Sequence, residues 1–239
     1  MKRLGINIDH VATIRNARGS THPDPLTIGK YVMNCGANSI TIHLREDRRH
    51  INDLDVKKLC KNKKIPINLE ISLNDQILKI ALKNKPNFVC FVPENRKEIT
   101  TEGGLNLLKN KKKINKFIYK FKKKRIRTSL FINPNFKDIK LAKELGADCI
   151  EIHTGRLSDY VKQNKNYSIE LEKIKRCCKY ANSLNLEIHA GHGLDYKTTK
   201  LLSKISFIKE FNIGHFIIGE SIIFGLKNII KKFRKISKN

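Results

Sequence analysis

Short hydrophobic segments alternate with longer segments of helical periodicity along the whole chain. Helices repeat their apolar positions every three to four residues, whereas strands are short and rich in β-branched residues. The predicted strands are 4–8, 39–43, 65–70, 87–92, 127–132, 148–153, 186–190 and 211–215. The predicted helices are 25–36, 53–62, 74–84, 104–121, 135–146, 168–184, 195–204 and 219–235. Eight strands alternating with eight helices predict an α/β protein whose parallel sheet closes into a (β/α)8 TIM barrel with extra surface helices.

Signals at the helix ends support this pattern. Gly146 stands where the glycine that ends a helix belongs, and Asp195 offers an N-cap to the helix that follows it. No GxGxxG motif follows the first strand, so an open doubly wound sheet is the weaker alternative. No linker rich in serine, glycine or proline divides the chain, and we therefore predict a single domain over residues 1–239.

Polar side chains stand where the hydrophobic segments end. Burying such groups is costly unless they are paired or used, and the carboxyl ends of barrel strands converge on one mouth. Six of the eight histidines fall at strand ends or in the loops that follow. The polar residues at these positions are Asn7, Asp9, His10, His43, Arg45, His50, Glu70, Glu151, His153, His192 and His215. The pattern indicates an enzyme whose site lies at the C-terminal rim of the barrel.

Glu70 and His43 are candidates for proton transfer. Glu70 ends an apolar strand, and desolvation there should raise its pKa and suit it to act as a base. A structural ion pair with a neighbouring arginine or lysine is the alternative for this carboxylate. His43 and Arg45 are two residues apart and share a face of their strand, so the cation should keep the imidazole a usable proton acceptor near neutral pH.

Motifs of glycine and histidine close the last two predicted strands. Gly191 and Gly193 flank His192, and Gly214 precedes His215. Glycine lets backbone N–H groups approach an anion, and barrel phosphate sites often form from these two loops and a helix N-terminus. Each of these motifs taken alone is more often a simple turn. Together with Arg18 and Arg45, which offer forked recognition of phosphate, they indicate phosphorylated substrates.

The charge of the chain raises a second class of function. A net charge of +27 and a pI near 10 are typical of proteins that bind nucleic acid or membrane surfaces. The excess is spread over the whole chain, and lysine far outnumbers arginine. In the densest segment, 109–127, the lysines interleave with apolar residues as on a solvated amphipathic helix. We therefore expect no nucleic-acid partner, and a general attraction for anionic substrates.

Cysteine usage and the N-terminus set further expectations. The six cysteines form no CxxC pair, and no HxH or HExxH pattern with a partnering carboxylate appears, so we expect free, mostly buried thiols and no metal site. No apolar stretch approaches the roughly 20 residues that span a membrane. The chain enters its first predicted strand within a few residues of Met1, which predicts no secretory signal and a cytoplasmic protein without a membrane partner.

Several motifs resemble those of the pyridoxine 5'-phosphate synthase family, which makes the vitamin B6 skeleton, and they follow in that family's order from residue 4 to residue 226. The motifs are 7–19 (NIDHVATIRNARG), 43–51 (HLREDRRHI), 68–70 (NLE), 93–94 (PE) with 100–104 (TTEGG), 151–155 (EIHTG), 190–194 (AGHGL) and 212–215 (NIGH). The resemblance implies a barrel that condenses 1-deoxy-D-xylulose 5-phosphate with 3-amino-2-oxopropyl phosphate. The products would be pyridoxine 5'-phosphate, phosphate and water, with no metal or organic cofactor. It also implies a homo-oligomer, commonly an octamer.

The resemblance further implies residue roles. His43 and Glu70 would be proton acceptors, His192 a proton donor, and Glu151 would steady charge in the transition state. The residues implied for the amino-ketone phosphate are Asn7, Arg18, Gly193, Gly214 and His215. Those implied for the deoxyxylulose phosphate are Asp9, His10, Arg45, His50 and Thr100.

Two rival functions stay open at the level of sequence. Another barrel that uses phosphosugars, such as an isomerase or an aldolase, is the nearest. An aldolase that forms a Schiff base needs a lysine at a strand end, and none of the predicted strands ends in one. A nucleic-acid-binding protein that exploits the positive charge is the rival from another class, and its affinity would have to survive physiological salt.

Overall fold

Eight parallel strands close into a barrel in the computed structural model, which describes residues 1–94 and 103–238. The strands are β1 (Arg3–Asn7), β2 (Ser39–Leu44), β3 (Ile67–Ile71), β4 (Phe88–Phe91), β5 (Arg127–Ile132), β6 (Cys149–His153), β7 (Glu187–Gly191) and β8 (Ile208–Ile213). Each strand pairs with the next along the chain, and β8 pairs with β1 to complete the ring. The predicted (β/α)8 fold is confirmed.

Eleven helices lie in the described ranges of the chain. They are α1 (Asp9–Ala17), α2 (Pro25–Asn34), α3 (Asp53–Lys61), α4 (Asp75–Asn84), α5 (Lys111–Lys123), α6 (Phe136–Glu144), α7 (Gly155–Lys162), α8 (Ser168–Ser183), α9 (Tyr196–Ser203), α10 (His215–Phe224) and α11 (Leu226–Ile236). None of them is both long and apolar enough to cross a membrane.

Some helix predictions were wrong. The sequence pattern treated the segments of α1 and α7 as loops, and it treated α10 and α11 as one helix. Gly225, with φ of 76°, separates that pair, because this left-handed conformation ends α10 and starts a new direction. The predicted helix 104–121 begins only at Lys111.

Helix α1 depends on a contact that is distant in sequence. Its N-cap residue, Ile8, has no capping side chain. Arg15 on its buried face forms a two-pronged ion pair with Asp55 of α3, with N–O distances of 2.6 and 2.8 Å. This pair fixes α1 against α3, and so fixes the segment that follows β1 over the barrel mouth.

The hydrophobic core lies outside the barrel, between strands and helices. Its one large cluster includes alternate strand residues such as Leu4, Ile42 and Leu69 together with residues of the surrounding helices. The other strand positions point inward, and there the described apolar residues form only a small cluster of Cys90, Val92 and Phe131. Polar side chains fill most of the remaining interior. The barrel interior is therefore a buried polar environment, and the candidate site opens from it.

Candidate active site

His43 lies between two carboxylates at the rim of β2 and β3. It is the register partner of Glu70, and its Nδ1 lies 3.9 Å from Glu70 Oε2. Its Nε2 lies 3.7 Å from Glu94 Oε2. Both distances exceed a hydrogen bond, and His43 Nε2 and Glu94 Oε2 are buried without a hydrogen-bond partner among the described residues. The imidazole is therefore positioned by its neighbours and keeps a ring nitrogen available for a ligand.

Asp9 joins the ends of β1 and β2. Its carboxylate accepts a hydrogen bond from the His43 backbone N–H at 2.9 Å and another from the Asn7 side-chain amide at 2.9 Å. His50 Nδ1 lies 3.9 Å from the same carboxylate and accepts the Ile51 N–H at 2.9 Å. Burial lowers the pKa of His50, with further lowering by nearby His43 and Arg45. In its neutral ring the Nε2 nitrogen carries the hydrogen and can donate to a bound oxygen.

Arg45 follows β2 and is buried. Its guanidinium lies 3.4 Å from Asp47 and 3.7 Å from Glu94. Burial raises the pKa of Asp47, but hydrogen bonds from Arg49 and Arg45 outweigh it and hold that pKa well below its usual value. The planar guanidinium of a buried arginine matches the geometry of a phosphate, so Arg45 is suited to bind one.

Two helix N-termini meet beside β1. His10 of α1 and His215 of α10 have ring centroids 4.9 Å apart and nitrogen atoms 3.4 Å apart. Burial and the charge of His215 lower the pKa of His10. Gly214 packs so closely on Asn7 that a β-carbon on this glycine would lie 2.8 Å from the Asn7 Cβ. Helix N-termini carry free N–H groups and a partial positive charge, so this corner can accept an anion.

His192 lies in a tight turn after β7. Its φ is 75°, a conformation that non-glycine residues rarely adopt. Thr154 Oγ1 donates to the carbonyl oxygens of Gly191 and His192, each at 2.8 Å. The ring stacks on His153 at 4.8 Å. Burial lowers the pKa of His192. A bound anion would raise that pKa and so favour the protonated ring that a proton donor needs.

Gly193 makes the turn after His192 possible. Its φ is 77°, and a β-carbon there would lie 3.0 Å from Ser158 Cβ of α7. A side chain at this position would therefore fill the gap between the β7 loop and α7. Because glycine has no side chain, the backbone N–H groups of the loop remain accessible to a ligand.

Glu151 is a buried carboxylate in the barrel interior, and Glu70 is a partly buried one nearer the rim. Burial raises the pKa of Glu70 well above its ordinary value, and the charge of Glu151 raises it further. Burial likewise raises the pKa of Glu151 to about 7, against the opposing effects of His189 and a hydrogen bond from Asn212. A carboxylate with a pKa near 7, such as that of Glu151, can exchange protons at physiological pH. The predicted desolvation of Glu70 agrees with its position.

Two predicted site residues stand apart. Arg18 is exposed at the C-terminal end of α1. A nine-residue helix is about 13 Å long, so this side chain begins well away from the corner formed by His10 and His215. Thr100 lies outside the described residues.

Sequence reasoning gave no role to three residues that contact the site. Glu94 lies beside His43 and Arg45, His153 stacks on His192, and Asn212 donates to Glu151 at 2.7 Å. His153 and Asn212 each lie two residues from a predicted site residue on the same strand or its end, so the period of two along strands could have found them.

Two groups of described residues have metal-ligating atoms within 4.8 Å of one another: Asp9 with His43 and His50, and Cys149 with Glu187 and His189. In the first group, Asp9 accepts the His43 N–H and His50 Nδ1 accepts the Ile51 N–H. These atoms already hold the rim together. The absence of a metal stays a prediction. All six cysteines are free, and five of them are buried.

Comparison with known proteins places this geometry in a family. The family model described as "Pyridoxal phosphate biosynthesis protein PdxJ" matches residues 4–239. A pyridoxine 5'-phosphate synthase of Pelagibacter ubique is 67% identical over 237 residues, covering 99% of each chain. The enzyme of the same name from Zymomonas mobilis is 48% identical and covers 97% of this chain and 90% of its own.

Solved structures resemble the chain in fold alone. A 3-hexulose-6-phosphate synthase of Salmonella typhimurium superposes with a TM-score of 0.68 at 13% identity, covering 99% of this chain and 98% of that one. The phosphoribosylanthranilate isomerase of Thermotoga maritima gives 0.61 at 14% identity, covering 100% of both chains. Whole-length identity to the synthases, together with the match over residues 4–239, decides the family. The chain belongs to the family of the pyridoxal phosphate biosynthesis protein PdxJ.

Proposed function

We propose that this enzyme is a pyridoxine 5'-phosphate synthase. It condenses 1-deoxy-D-xylulose 5-phosphate with 3-amino-2-oxopropyl phosphate and releases pyridoxine 5'-phosphate, phosphate and water. The observation that carries the proposal is the convergence of His43, Glu70 and His192 on one barrel mouth beside two separate anion-binding corners. An amine must attack a ketone, water and phosphate must leave, and a ring must close. These steps need several proton transfers at different atoms.

His43 and Glu70 act as proton acceptors in this proposal. His43 is buried and Glu70 is partly buried at the rim, with 3.9 Å between His43 Nδ1 and Glu70 Oε2. His43 keeps an unpartnered Nε2 among the described residues. Burial raises the pKa of Glu70, which makes its carboxylate a stronger base. His192 acts as the proton donor, and the incoming phosphate supplies the charge that favours its protonated form. Glu151 steadies positive charge as the amine adds to the ketone.

The two substrates occupy different corners. Arg45, His50, Asp9 and His10, with Thr100, hold the deoxyxylulose phosphate. The buried guanidinium of Arg45 is its main anchor. A second set, formed by Asn7, Gly193, Gly214, His215 and Arg18, holds the amino-ketone phosphate. The α10 N-terminus at Gly214 favours an anion there. Because Arg18 is exposed, it has to fold over the mouth when this substrate is bound.

An aldolase mechanism is the second candidate within this fold, and one observation disfavours it. A Schiff-base lysine would stand at the C-terminal end of a strand. The described strands end in other residues. Lys2, the buried lysine next to β1, donates to the carbonyl oxygens of Ile205 and Ile208 at 2.8 and 3.0 Å, at the opposite end of the barrel.

A homo-oligomer is also part of the proposal. Ile222, Ile223 and Phe224 of α10 are more than half exposed, and exposed apolar clusters of this kind often mark contacts between subunits. A solution mass of about one chain, measured by light scattering, would contradict it. The cytoplasmic location stays a prediction.

The direct test is a reaction with both proposed substrates. Purified protein is mixed with each substrate alone and with the two together, and pyridoxine 5'-phosphate is detected by mass. We expect product only in the complete mixture. Glu70→Gln should abolish most of the product, whereas Glu172→Gln, an exposed change on α8, should not. Absence of product with the unmodified protein would overturn the proposed reaction.

A further inference from the structure

A chain of buried hydrogen bonds crosses the barrel interior beneath the candidate catalytic groups. Asn68 Nδ2 donates to Thr41 Oγ1 at 3.4 Å, and Thr41 Oγ1 donates to Asn212 Oδ1 at 3.1 Å. Asn212 Nδ2 then donates to Glu151 Oε2 at 2.7 Å. All four side chains are buried. The chain passes from β3 through β2 and β8 to β6, so it joins the strand of Glu70 to the strand of Glu151.

The donors in this chain all point in one direction. The Thr41 hydroxyl accepts from one amide and donates to the next, and this fixes which side of the Asn212 amide faces Glu151. Hydrogen bonds in a buried chain polarise one another and strengthen the last one. That last bond ends on a carboxylate and is the shortest of the three, as expected when the acceptor is ionised.

Glycines on both neighbouring strands leave space for the hydrogen bonds of Asn212. Gly5 of β1 and Gly191 of β7 are its two register partners. A β-carbon on Gly5 would lie 2.1 Å from Asn212 Oδ1, and one on Gly191 would lie 2.0 Å from Glu151 Oε1. Side chains at these two positions would displace the amide or the carboxylate. The space for the Asn212–Glu151 pair therefore depends on two glycines.

Charged and titratable groups from four strands face Glu151. They are Glu70 of β3, Cys90 of β4, His189 of β7 and Glu210 of β8. Burial raises the pKa of Glu151, His189 and the Asn212 bond lower it, and Glu210 raises it again. These effects oppose one another, so loss of the Asn212 donor should favour the protonated form of Glu151.

We propose that Asn212, oriented by the Thr41 hydroxyl, is a positioning residue that holds Glu151 as an anion directed into the active site. This inference rests on the proposed synthase reaction, in which Glu151 stabilises developing positive charge. Asn212 touches neither substrate in this scheme. It acts through Glu151. Asn68, the first donor in the series of hydrogen bonds, orients the Thr41 hydroxyl that bonds to Asn212.

The test uses three graded variants and a matched control. Asn212→Ala removes the donor to Glu151. Thr41→Val keeps the shape of the side chain but releases the orientation of the Asn212 amide. Asn68→Ala removes only the outermost donor. The control is Thr128→Val, which, like Thr41→Val, removes a buried threonine hydroxyl. The Thr128 hydroxyl donates to the Asp148 carboxylate and lies on the helix-facing side of β5.

Two measurements are made on each variant. The first is kcat against pH with both substrates saturating. The second is the titration of Glu151 in the ligand-free protein, followed by NMR of 13C-labelled glutamate and assigned with Glu151→Gln. Losing a hydrogen bond to a charged group should raise the apparent pKa of the acid limb by about one to two units in Asn212→Ala, tenfold to a hundredfold in proton affinity. The shift should be smaller in Thr41→Val, smallest in Asn68→Ala and absent in Thr128→Val.

The outcomes separate this inference from the proposed function. Equal loss of kcat at every pH, with an unchanged Glu151 titration, would make Asn212 merely structural and overturn the inference. An equal shift in Thr128→Val would do the same. If the protein makes no product but the Glu151 titration shifts in the predicted order, the positioning role stands and the proposed reaction fails. Should Asn212→Ala not fold, the isosteric Thr41→Val decides alone.

Discussion

The two ends of the barrel interior use the same residue types in opposite ways. At the N-terminal end, His189 Nε2 lies 2.8 Å from Glu187, Arg3 Nε lies 2.6 Å from Glu210, and Arg127 contacts Glu187 at 2.9 Å. At the C-terminal end, His43 lies 3.7 and 3.9 Å from its two carboxylates. The first end is closed by direct ion pairs. The second is held at distances that leave room for a ligand.

The pKa values of the histidines also differ between the two ends. Burial lowers the pKa of His189, but Cys149, Glu187 and Glu210 outweigh it and raise the value to about 10. The hydrogen bond from His189 holds the pKa of Glu187 well below normal. At the rim, burial lowers the pKa of His10, His50 and His192. The charged form of histidine is thus stabilised at the N-terminal end and disfavoured for these three histidines at the rim. Uncompensated polar groups lower stability, so their concentration at the rim is a mark of function.

The largest expected effect comes from Glu70→Gln at the rim. The amide keeps the volume but accepts no proton, and a positioned general base contributes about 10²–10⁴-fold. Turnover should fall by about that range, while the melting temperature should not fall, because no cavity forms. Both are measured on one preparation. Near-normal turnover would remove Glu70 from the mechanism, and a collapsed melting temperature would give it a structural role.

The second-largest effect is expected in the pH dependence of the unfolding free energy, through Glu151. The folded pKa of Glu151 lies above its ordinary value, at about 7. Its contribution to stability is therefore complete below about pH 4.5 and is lost as the pH rises through 7. Glu151→Gln avoids this loss, so it should be more stable than the unmodified protein at pH 8, by about 3 kcal/mol, and equal to it at pH 4.5. Urea unfolding at both pH values checks this, and equal differences at the two values would contradict it.

The phosphate corners can be tested by separate arginine variants. Arg45→Ala should weaken binding of deoxyxylulose phosphate, and Arg18→Ala binding of the amino-ketone phosphate. Losing a charge-assisted hydrogen bond to phosphate costs about 1.5–3 kcal/mol, roughly tenfold to a hundredfold in affinity. Calorimetric titration with each substrate measures this. If both variants weakened the same substrate and spared the other, the assignment of two corners would be wrong.

The smallest effect is expected at the N-terminal end. Glu187→Gln leaves His189, Arg3 and Arg127 without their shared carboxylate. Unfolding free energy at pH 7 should fall by about 1.5 kcal/mol, with kcat little changed. Since the pKa of Glu187 is lowered in the folded protein, this difference should shrink as the pH falls below about 4.5. A large loss of kcat with unchanged stability would join this end to the catalytic chemistry.

Periodic hydrophobic segments predicted most of the fold, because strands and helices of a barrel each bury a regular face. Strand β8 is instructive: the sequence pattern placed it at 211–215, and it spans Ile208–Ile213. The exposed Lys209 hid its first residues among polar ones. Helix α1 could not be predicted from local pattern, since its anchor is the Arg15–Asp55 pair, forty positions apart.

The same distinction between local pattern and distant contacts applies to the candidate site. His43, Glu70 and His192 could be found because they end hydrophobic segments. The role of Glu94 could not be found in this way, and the period of two could indicate only the position of Asn212, because the partners of both residues lie on strands that are distant in sequence. Asn212 meets Glu151 only because β7, which lies between their strands, contributes a glycine at that level.

Closure of the barrel has a consequence for biosynthesis. The seam pairs residues 3–6 with 210–213, so the first strand waits for nearly the whole chain to leave the ribosome before it gains its second neighbour. Until then both β1 and β7 have open edges, and the polar interior is exposed to water. A product that ends before β8 would lack Asn212 and the seam together. The closed barrel and the complete set of site residues therefore arise together, once β8 and the start of α10 have been made.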